Sequence, residues 1–112
     1  MYEINLQDIT QDGNKKITSL GGKENGLNAA KKLNIKQIAS ENETVKIVIP
    51  EYINGFHSSY FAGLFSEVIS DLKNNKKDFI DKFIFDARDI ILEQINDAID
   101  LCFMDTSAIK LK

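Results

Sequence analysis

Two short stretches of the chain are apolar at nearly every position. Residues 45–49 read Val-Lys-Ile-Val-Ile and end at the only proline, Pro50, and residues 82–86 contain Phe83-Ile84-Phe85. Strands buried on both faces have this composition, and they belong to parallel sheets covered by helices. The pattern therefore predicts two adjacent parallel strands in the middle of a sheet, joined by a right-handed crossover through a helix.

The crossover helix is predicted between these strands, over residues 61–72. Its apolar positions follow the spacing of one helix face: Phe61, Leu64, Phe65, Val68, Ile69 and Leu72. Asn74-Asn75 predicts the helix end, because asparagine tolerates left-handed backbone. Ser58 and Ser59 precede the helix, where a hydroxyl can cap it and where anions are attracted.

The N-terminal part of the chain predicts a hairpin and a first helix. Tyr2, Ile4 and Leu6 alternate with polar residues, which indicates a half-buried strand. The turn residues Asp12-Gly13-Asn14 then favour a hairpin with a short second strand over residues 15–20. Beyond Gly21-Gly22, a helix is predicted from about Glu24, with Leu27, Ala30, Leu33 and Ile38 on its apolar face.

The C-terminal part predicts one more amphipathic helix. Its apolar face comprises Ile91, Ile95, Ala98, Ile99 and Cys102. Ile109 and Leu111 predict a ragged tail beyond it. The alternation of strands and helices indicates an α/β fold.

Length, charge and cysteine content limit the kinds of function. The 112 residues fit a single domain, 1–112, and the formal net charge of −3 argues against nucleic acid as a partner. We interpret Lys73 to Lys77 as a solvated loop. Cys102 is the only cysteine and His57 the only histidine, which excludes an intrachain disulfide and a multi-histidine or multi-cysteine metal site. No cofactor is predicted, and Cys102 is interpreted as a small buried filler in a cytoplasmic protein without membrane segments.

The order of elements resembles that of the STAS-like family, whose best understood members are anti-sigma-factor antagonists. The resemblance is carried by Ile47-Val48-Ile49 and by residues 53–62, Ile-Asn-Gly-Phe-His-Ser-Ser-Tyr-Phe-Ala. It is closest to a small branch of bacterial STAS-like proteins of unassigned function and covers roughly residues 20–103. It implies a STAS-like mixed sheet of about four strands, with helices packed on it and one βαβ crossover.

The resemblance also implies which residues carry function. In the antagonists the corresponding loop reads Asp-Ser-x-Gly-Leu, and an anti-sigma-type kinase phosphorylates the serine. Ser58 matches the phosphoacceptor, Ser59 follows it, and Phe61 anchors the helix. His57 stands where the antagonists carry aspartate, and Tyr60 where they carry glycine. His57, Ser59 and Tyr60 are therefore the predicted partner-binding residues around Ser58.

Simpler structural roles compete with these assignments. A serine at a helix start is explained by capping alone, which contributes about 1 kcal/mol. Asp86, Arg88 and Asp89 follow the second parallel strand, at the sheet edge where α/β proteins collect their sites, but they also suit the turn and the start of the last helix. His57 and Ser58 are adjacent in sequence, which gives poor geometry for a catalytic triad.

Three functional classes follow. The favoured one is a non-enzymatic regulatory domain that docks a protein partner, such as an anti-sigma-type kinase or ATPase, through residues 55–61 and is switched by serine phosphorylation. The alternatives are a component of a phage-defence or mobile-element assembly and a small enzyme with its site at the carboxyl ends of the strands. The sequence leaves homo-oligomerisation open.

Overall fold

A computed structural model describes residues 1–103, which form seven strands and six helices. The strands are β1 (Tyr2–Asn5), β2 (Gln11–Asp12), β3 (Lys15–Lys16), β4 (Ser19–Leu20), β5 (Val45–Val48), β6 (Gly55–Phe56) and β7 (Phe83–Asp86). The helices are α1 (Gln7–Thr10), α2 (Lys23–Leu33), α3 (Ile35–Glu41), α4 (Ser58–Asp71), α5 (Lys76–Lys82) and α6 (Asp89–Phe103). The predicted tail at Ile109 and Leu111 lies outside the described residues.

The main sheet has three parallel strands in the order β1-β5-β7. Ile47 of β5 pairs with Ile4 of β1 on one side and with Phe85 of β7 on the other. The predicted parallel pairing of residues 45–49 with 83–85 is therefore confirmed, although β7 lies at an edge of this sheet. The α/β class is confirmed as well. The described strands are divided among three small sheets, whereas one sheet of about four strands was expected.

The predicted N-terminal hairpin is wrong in its pairing. β1 pairs in parallel with β5, and the chain then enters α1, where the Thr10 hydroxyl donates to the Leu6 carbonyl at 2.8 Å. The turn at Gly13, whose φ is 62°, instead connects β2 with β3. Alternation predicts that a strand has a buried face, and it does not identify the neighbouring strand.

The predicted first helix is divided into α2 and α3. Asn34 adopts left-handed backbone with φ 58° and ψ 41° between them, and its N–H donates to the carbonyls that end α2. Asparagine is one of the few residues that adopt this conformation at little cost. The apolar spacing continues across the break, since Ile35 and Ala39 of α3 are buried.

Helix α4 is confirmed, and it begins at Ser58, earlier than the apolar pattern alone predicts. All of its predicted core positions are buried except Leu72, which is half-buried. Lys73 and Asn74 are left-handed, as expected for a helix end, but the Asn75 side chain accepts from the Asp78 N–H at 3.0 Å and begins α5. α5 was not predicted, and it replaces part of the expected lysine loop. Its single buried residue, Phe79, gives no helical period.

One side of α4 packs through phenylalanine rings. Phe65 lies 4.7 Å from Phe61, 5.3 Å from Phe79 and 5.1 Å from Phe83, measured between ring centroids. These four rings are buried, and they join α4 to α5 and to the start of β7.

α6 is also confirmed, with Ile91, Ile95, Ala98 and Ile99 buried. None of the described helices is long and apolar enough to cross a membrane.

The other side of α4 packs against α2 through backbone. A Cβ atom placed on Gly63 would collide with the Lys23 carbonyl oxygen and lie 2.9 Å from the Leu27 nitrogen. A Cβ atom on Gly26 would collide with the Tyr60 carbonyl oxygen. The two helices therefore cross where both lack side chains. The helix starts are adjacent, since the Gly22 N–H donates to the Ser59 hydroxyl, and four residues further along each helix Gly26 lies against Gly63, so the two helices run in the same general direction.

Candidate functional site

Two strand-to-helix connections lie side by side and form the candidate site. β4 leads into α2 and β6 leads into α4, and the two strands pair in parallel, with Ser19 opposite Gly55 and Leu20 opposite Phe56. The His57 N–H donates to the Leu20 carbonyl at 2.8 Å. Since Leu20 and Phe56 are buried, both connections are anchored in the core while the helix starts face solvent.

The starts of the two helices are also linked directly. The Gly22 N–H, at the N-terminus of α2, donates to the Ser59 hydroxyl of α4 at 3.1 Å. The first N–H groups of any α-helix lack intrahelical acceptors. Two such ends that point the same way add their partial positive charges, which favours negative charge near them.

His57 is exposed and occupies the N-cap position of α4, with extended backbone. Its Nε2 atom lies 3.5 Å from the Ser19 hydroxyl, at the outer limit of a hydrogen bond. Gly21 leaves room for the imidazole, because a Cβ atom there would lie 3.0 Å from the Cδ2 atom of His57. Gly21 therefore lets the ring lie across the end of β4.

Ser58 is exposed and is the first residue of α4. The expected role of a serine as helix cap does not hold, because His57 takes that position and no side chain caps the helix. Within residues 1–103 the Ser58 hydroxyl makes no hydrogen bond, whereas the Ser59 hydroxyl accepts from Gly22. The two serines thus differ: Ser59 supports the structure, and Ser58 is available at the surface.

Tyr60 requires a correction, because it does not share this surface. Its side chain is only 4% exposed and meets the Phe56 ring edge-on, with centroids 5.5 Å apart. Burial raises the pKa of its hydroxyl to about 12. Tyr60 is buried because of its position on the helix: Tyr60, Leu64 and Val68 are spaced by four residues and all face inward. Phe61, expected to anchor the helix, is fully buried.

The candidate residues at the end of β7 and just beyond it have structural roles. Arg88 donates through Nη2 to the Ile53 carbonyl at 2.7 Å and to Asn54 Oδ1 at 3.1 Å. Asp86 pairs with Lys46 at 3.5 Å, and Asp89 lies in the first turn of α6. Arg88 therefore fixes the loop that leads into β6. These contacts are structural, as the interpretation of Asp86, Arg88 and Asp89 as turn and helix-start residues expects.

Gln94 also supports the candidate site, and it was not identified from the sequence. Its Oε1 atom accepts from the Phe56 N–H at 2.6 Å, which links α6 to β6 just before His57. The contact joins residues far apart in sequence, and no local pattern indicates it.

The described residues form neither a metal cluster nor an activated thiol. Among residues 1–103 there is no group of three His, Cys, Asp or Glu side chains that could hold a metal ion. Cys102 is half-buried, rather than fully buried as expected of a core filler. Burial raises the pKa of its thiol, which reduces the thiolate fraction and hence its reactivity.

Comparisons with protein-family models, with curated proteins and with solved structures give no match to this chain. Its family and function therefore have to be argued from its own residues.

Proposed function

We propose that this chain is a non-enzymatic regulatory domain that docks a protein partner through the start of α4. The docking surface consists of His57, Ser58 and Ser59, together with Ser19, which lies against the imidazole. Phosphorylation of Ser58 releases or exchanges the partner. The resemblance to the STAS-like family suggests a partner of the anti-sigma kinase or ATPase type.

The observation that carries the proposal is the contrast between Ser58 and its neighbours. Phe56, Tyr60 and Phe61 are buried, and Ser59 bonds to Gly22, so each of them has a structural role. Ser58 is exposed on a rigid helix start without a hydrogen bond to the described residues. A hydroxyl in this position is accessible to a kinase and is not needed for folding.

The local electrostatics tolerate a phosphate on Ser58. A negative group in the first turn of a helix contributes about 0.3–1 kcal/mol of stability. The adjacent start of α2 adds a second set of N–H groups on the same side. A partner surface that fits the uncharged hydroxyl must instead desolvate the new charge, at a larger cost. The modification therefore acts on binding and leaves the fold intact.

The experiment compares protein partners retained from the source cells by tagged wild type, Ser58→Ala, Ser58→Asp and Ser70→Asp. Ser70 is the matched control, because it is an exposed serine on α4 at the opposite end of the helix. We expect one set of proteins to be retained by wild type, Ser58→Ala and Ser70→Asp and to be lost with Ser58→Asp, as measured by quantitative mass spectrometry.

Two results would contradict the proposal. Ser58→Asp could keep every partner of the wild type, which would remove the switch. Equal loss with Ser70→Asp would show that any added charge on α4 disturbs binding. Peptide mapping by tandem mass spectrometry of protein isolated from the source cells, before and after phosphatase treatment, shows whether Ser58 carries phosphate in vivo.

A further inference from the structure

A cavity of about 260 Å³ lies between α1, α2 and the chain that leads into β4. Its lining includes the apolar side chains of Ile9 and Ile17. It also includes Asn28 and Lys32 of α2, together with Tyr60 of α4. This volume is near the lower end of ligand pockets, so it suits a molecule with on the order of ten non-hydrogen atoms.

Tyr60 contributes a buried hydroxyl that lacks a partner. Within residues 1–103 its hydroxyl makes no hydrogen bond, although the residue is only 4% exposed. Thr10 also lines the cavity and is 2% exposed. Unlike the Tyr60 hydroxyl, its hydroxyl has partners: it donates to the Leu6 carbonyl and lies 2.7 Å from the Tyr52 hydroxyl. Buried hydroxyls are normally satisfied in this way. The Tyr60 hydroxyl is therefore an exception that needs an explanation.

The other polar groups around the cavity define what it can accept. Among residues 1–103, Lys32 is the only lining residue with a full charge at neutral pH, and none of their carboxylates lines the cavity. The Asn25 amide already donates to the Gly21 carbonyl, while Asn28 has no such bond within the described residues. A tyrosine is protonated at neutral pH, so the Tyr60 hydroxyl can donate a hydrogen bond. Tyr60, Asn28 and Lys32 can thus all donate, and their net charge is positive.

We propose that this cavity binds a small organic anion. Its acidic group accepts hydrogen bonds from the Tyr60 hydroxyl and the Lys32 ammonium group, and its apolar part packs against Ile9 and Ile17. A neutral ligand forfeits the charge-assisted bond to Lys32, which is the stronger kind. A cationic ligand is repelled by the positive charge of Lys32. The cavity shares Ser19 with the proposed docking surface, but the groups proposed to hold the anion, Tyr60 and Lys32, lie outside that surface.

The test is an NMR titration of the ¹⁵N-labelled chain with three probes of similar shape: benzoate, benzamide and benzylammonium. We expect benzoate to shift the amide signals of Ser19, Asn28 and Lys32 in a saturable manner. Benzamide should bind about tenfold more weakly, as expected when a charge-assisted bond is replaced by a neutral one. Benzylammonium should leave these signals in place.

Variants identify the groups responsible. Lys32→Gln and Tyr60→Phe should each weaken benzoate binding about tenfold. Lys31→Gln is the matched control, because Lys31 is an exposed neighbour on α2 outside the cavity lining, and it should bind as the wild type does. Since Tyr60→Phe removes a hydroxyl without a protein partner, its melting temperature should equal or exceed that of the wild type.

The proposal is overturned if benzylammonium binds as well as benzoate, or if Lys32→Gln and Lys31→Gln bind benzoate equally. It is also overturned if none of the three probes shifts the cavity signals. In that case the Tyr60 hydroxyl is satisfied by water alone.

Discussion

Helix α4 has two sides that pack by opposite means. Toward α5 and β7 it presents Phe61 and Phe65, whose rings fill the space between the elements. Toward α2 it presents Gly63, which lets the two backbones meet without side chains. The phenylalanine side loses stability when atoms are removed, and the glycine side loses stability when atoms are added. Held from both sides, α4 positions its first turn accurately while leaving His57 and Ser58 exposed.

The largest predicted effect comes from removing a ring on the phenylalanine side. Phe65→Ala should lower the free energy of unfolding by about 3–5 kcal/mol, because a fully buried ring with three close aromatic neighbours leaves a cavity. Chemical denaturation followed by circular dichroism measures the change. Ile90→Ala, at a residue 51% exposed on α6, is the control and should change stability by less than about 0.5 kcal/mol. Equal effects of the two substitutions would show that the aromatic cluster is not the core.

A smaller effect concerns Tyr60, whose ring meets Phe56 of β6 and whose carbonyl lies against Gly26 of α2. Burial raises the pKa of its hydroxyl from the ordinary value of 10.0, which applies to the unfolded chain, to about 12 in the folded one. Between these values the unfolded chain binds fewer protons, so the folded state loses stability as the pH rises. From pH 10 to 12 the wild type should lose about 2 kcal/mol more than Tyr60→Phe.

Denaturation curves of both proteins at several pH values measure this difference, and the remaining tyrosines and lysines affect both alike. Identical pH profiles would mean that Tyr60 is accessible to solvent and able to ionise in the folded state.

On the glycine side, Gly63→Ala should destabilise the fold by about 1–3 kcal/mol. Alanine favours a helix over glycine by about 1 kcal/mol, so this loss has to exceed a local gain. The reason is that the new Cβ atom meets the backbone of Lys23 and Leu27, which cannot turn away as a side chain can. Ser70→Ala, at an exposed position of the same helix, is the control for propensity and should be neutral or slightly stabilising. A stabilised Gly63→Ala would show that α2 and α4 are farther apart than described.

Which helices and strands can be predicted from the sequence depends on how many residues their hydrophobic pattern covers. β5 and β7 were predicted from short continuous apolar runs, and α4 and α6 were predicted because burial imposes long periodic patterns on them. β4 and β6 have two residues each, too few for any period, and α5 has one buried residue. The partner of β1 was mistaken because the nearest segment in sequence is not its neighbour in the sheet.

The candidate site was predicted in part. The exposed helix start at His57 and Ser58 follows from a strand ending just before an apolar helix. Tyr60 was misplaced on the surface, although its four-residue spacing from Leu64 and Val68 indicates burial. The support from Arg88 and Gln94 depends on α6 folding back over the site, and only the three-dimensional structure reveals such contacts.

The central claim is that a charge on Ser58 changes binding without changing folding. The most direct measurement takes one partner recovered with the wild type and determines its dissociation constant and the free energy of unfolding for wild type, Ser58→Asp and Ser70→Asp. We predict that Ser58→Asp raises the dissociation constant by about tenfold or more while its stability stays within about 1 kcal/mol of the wild type. Ser70→Asp should retain the partner and lose a few tenths of a kcal/mol, because it adds negative charge at the C-terminal end of α4. An unchanged dissociation constant for Ser58→Asp, or a loss of binding that merely follows a loss of stability, would contradict the account.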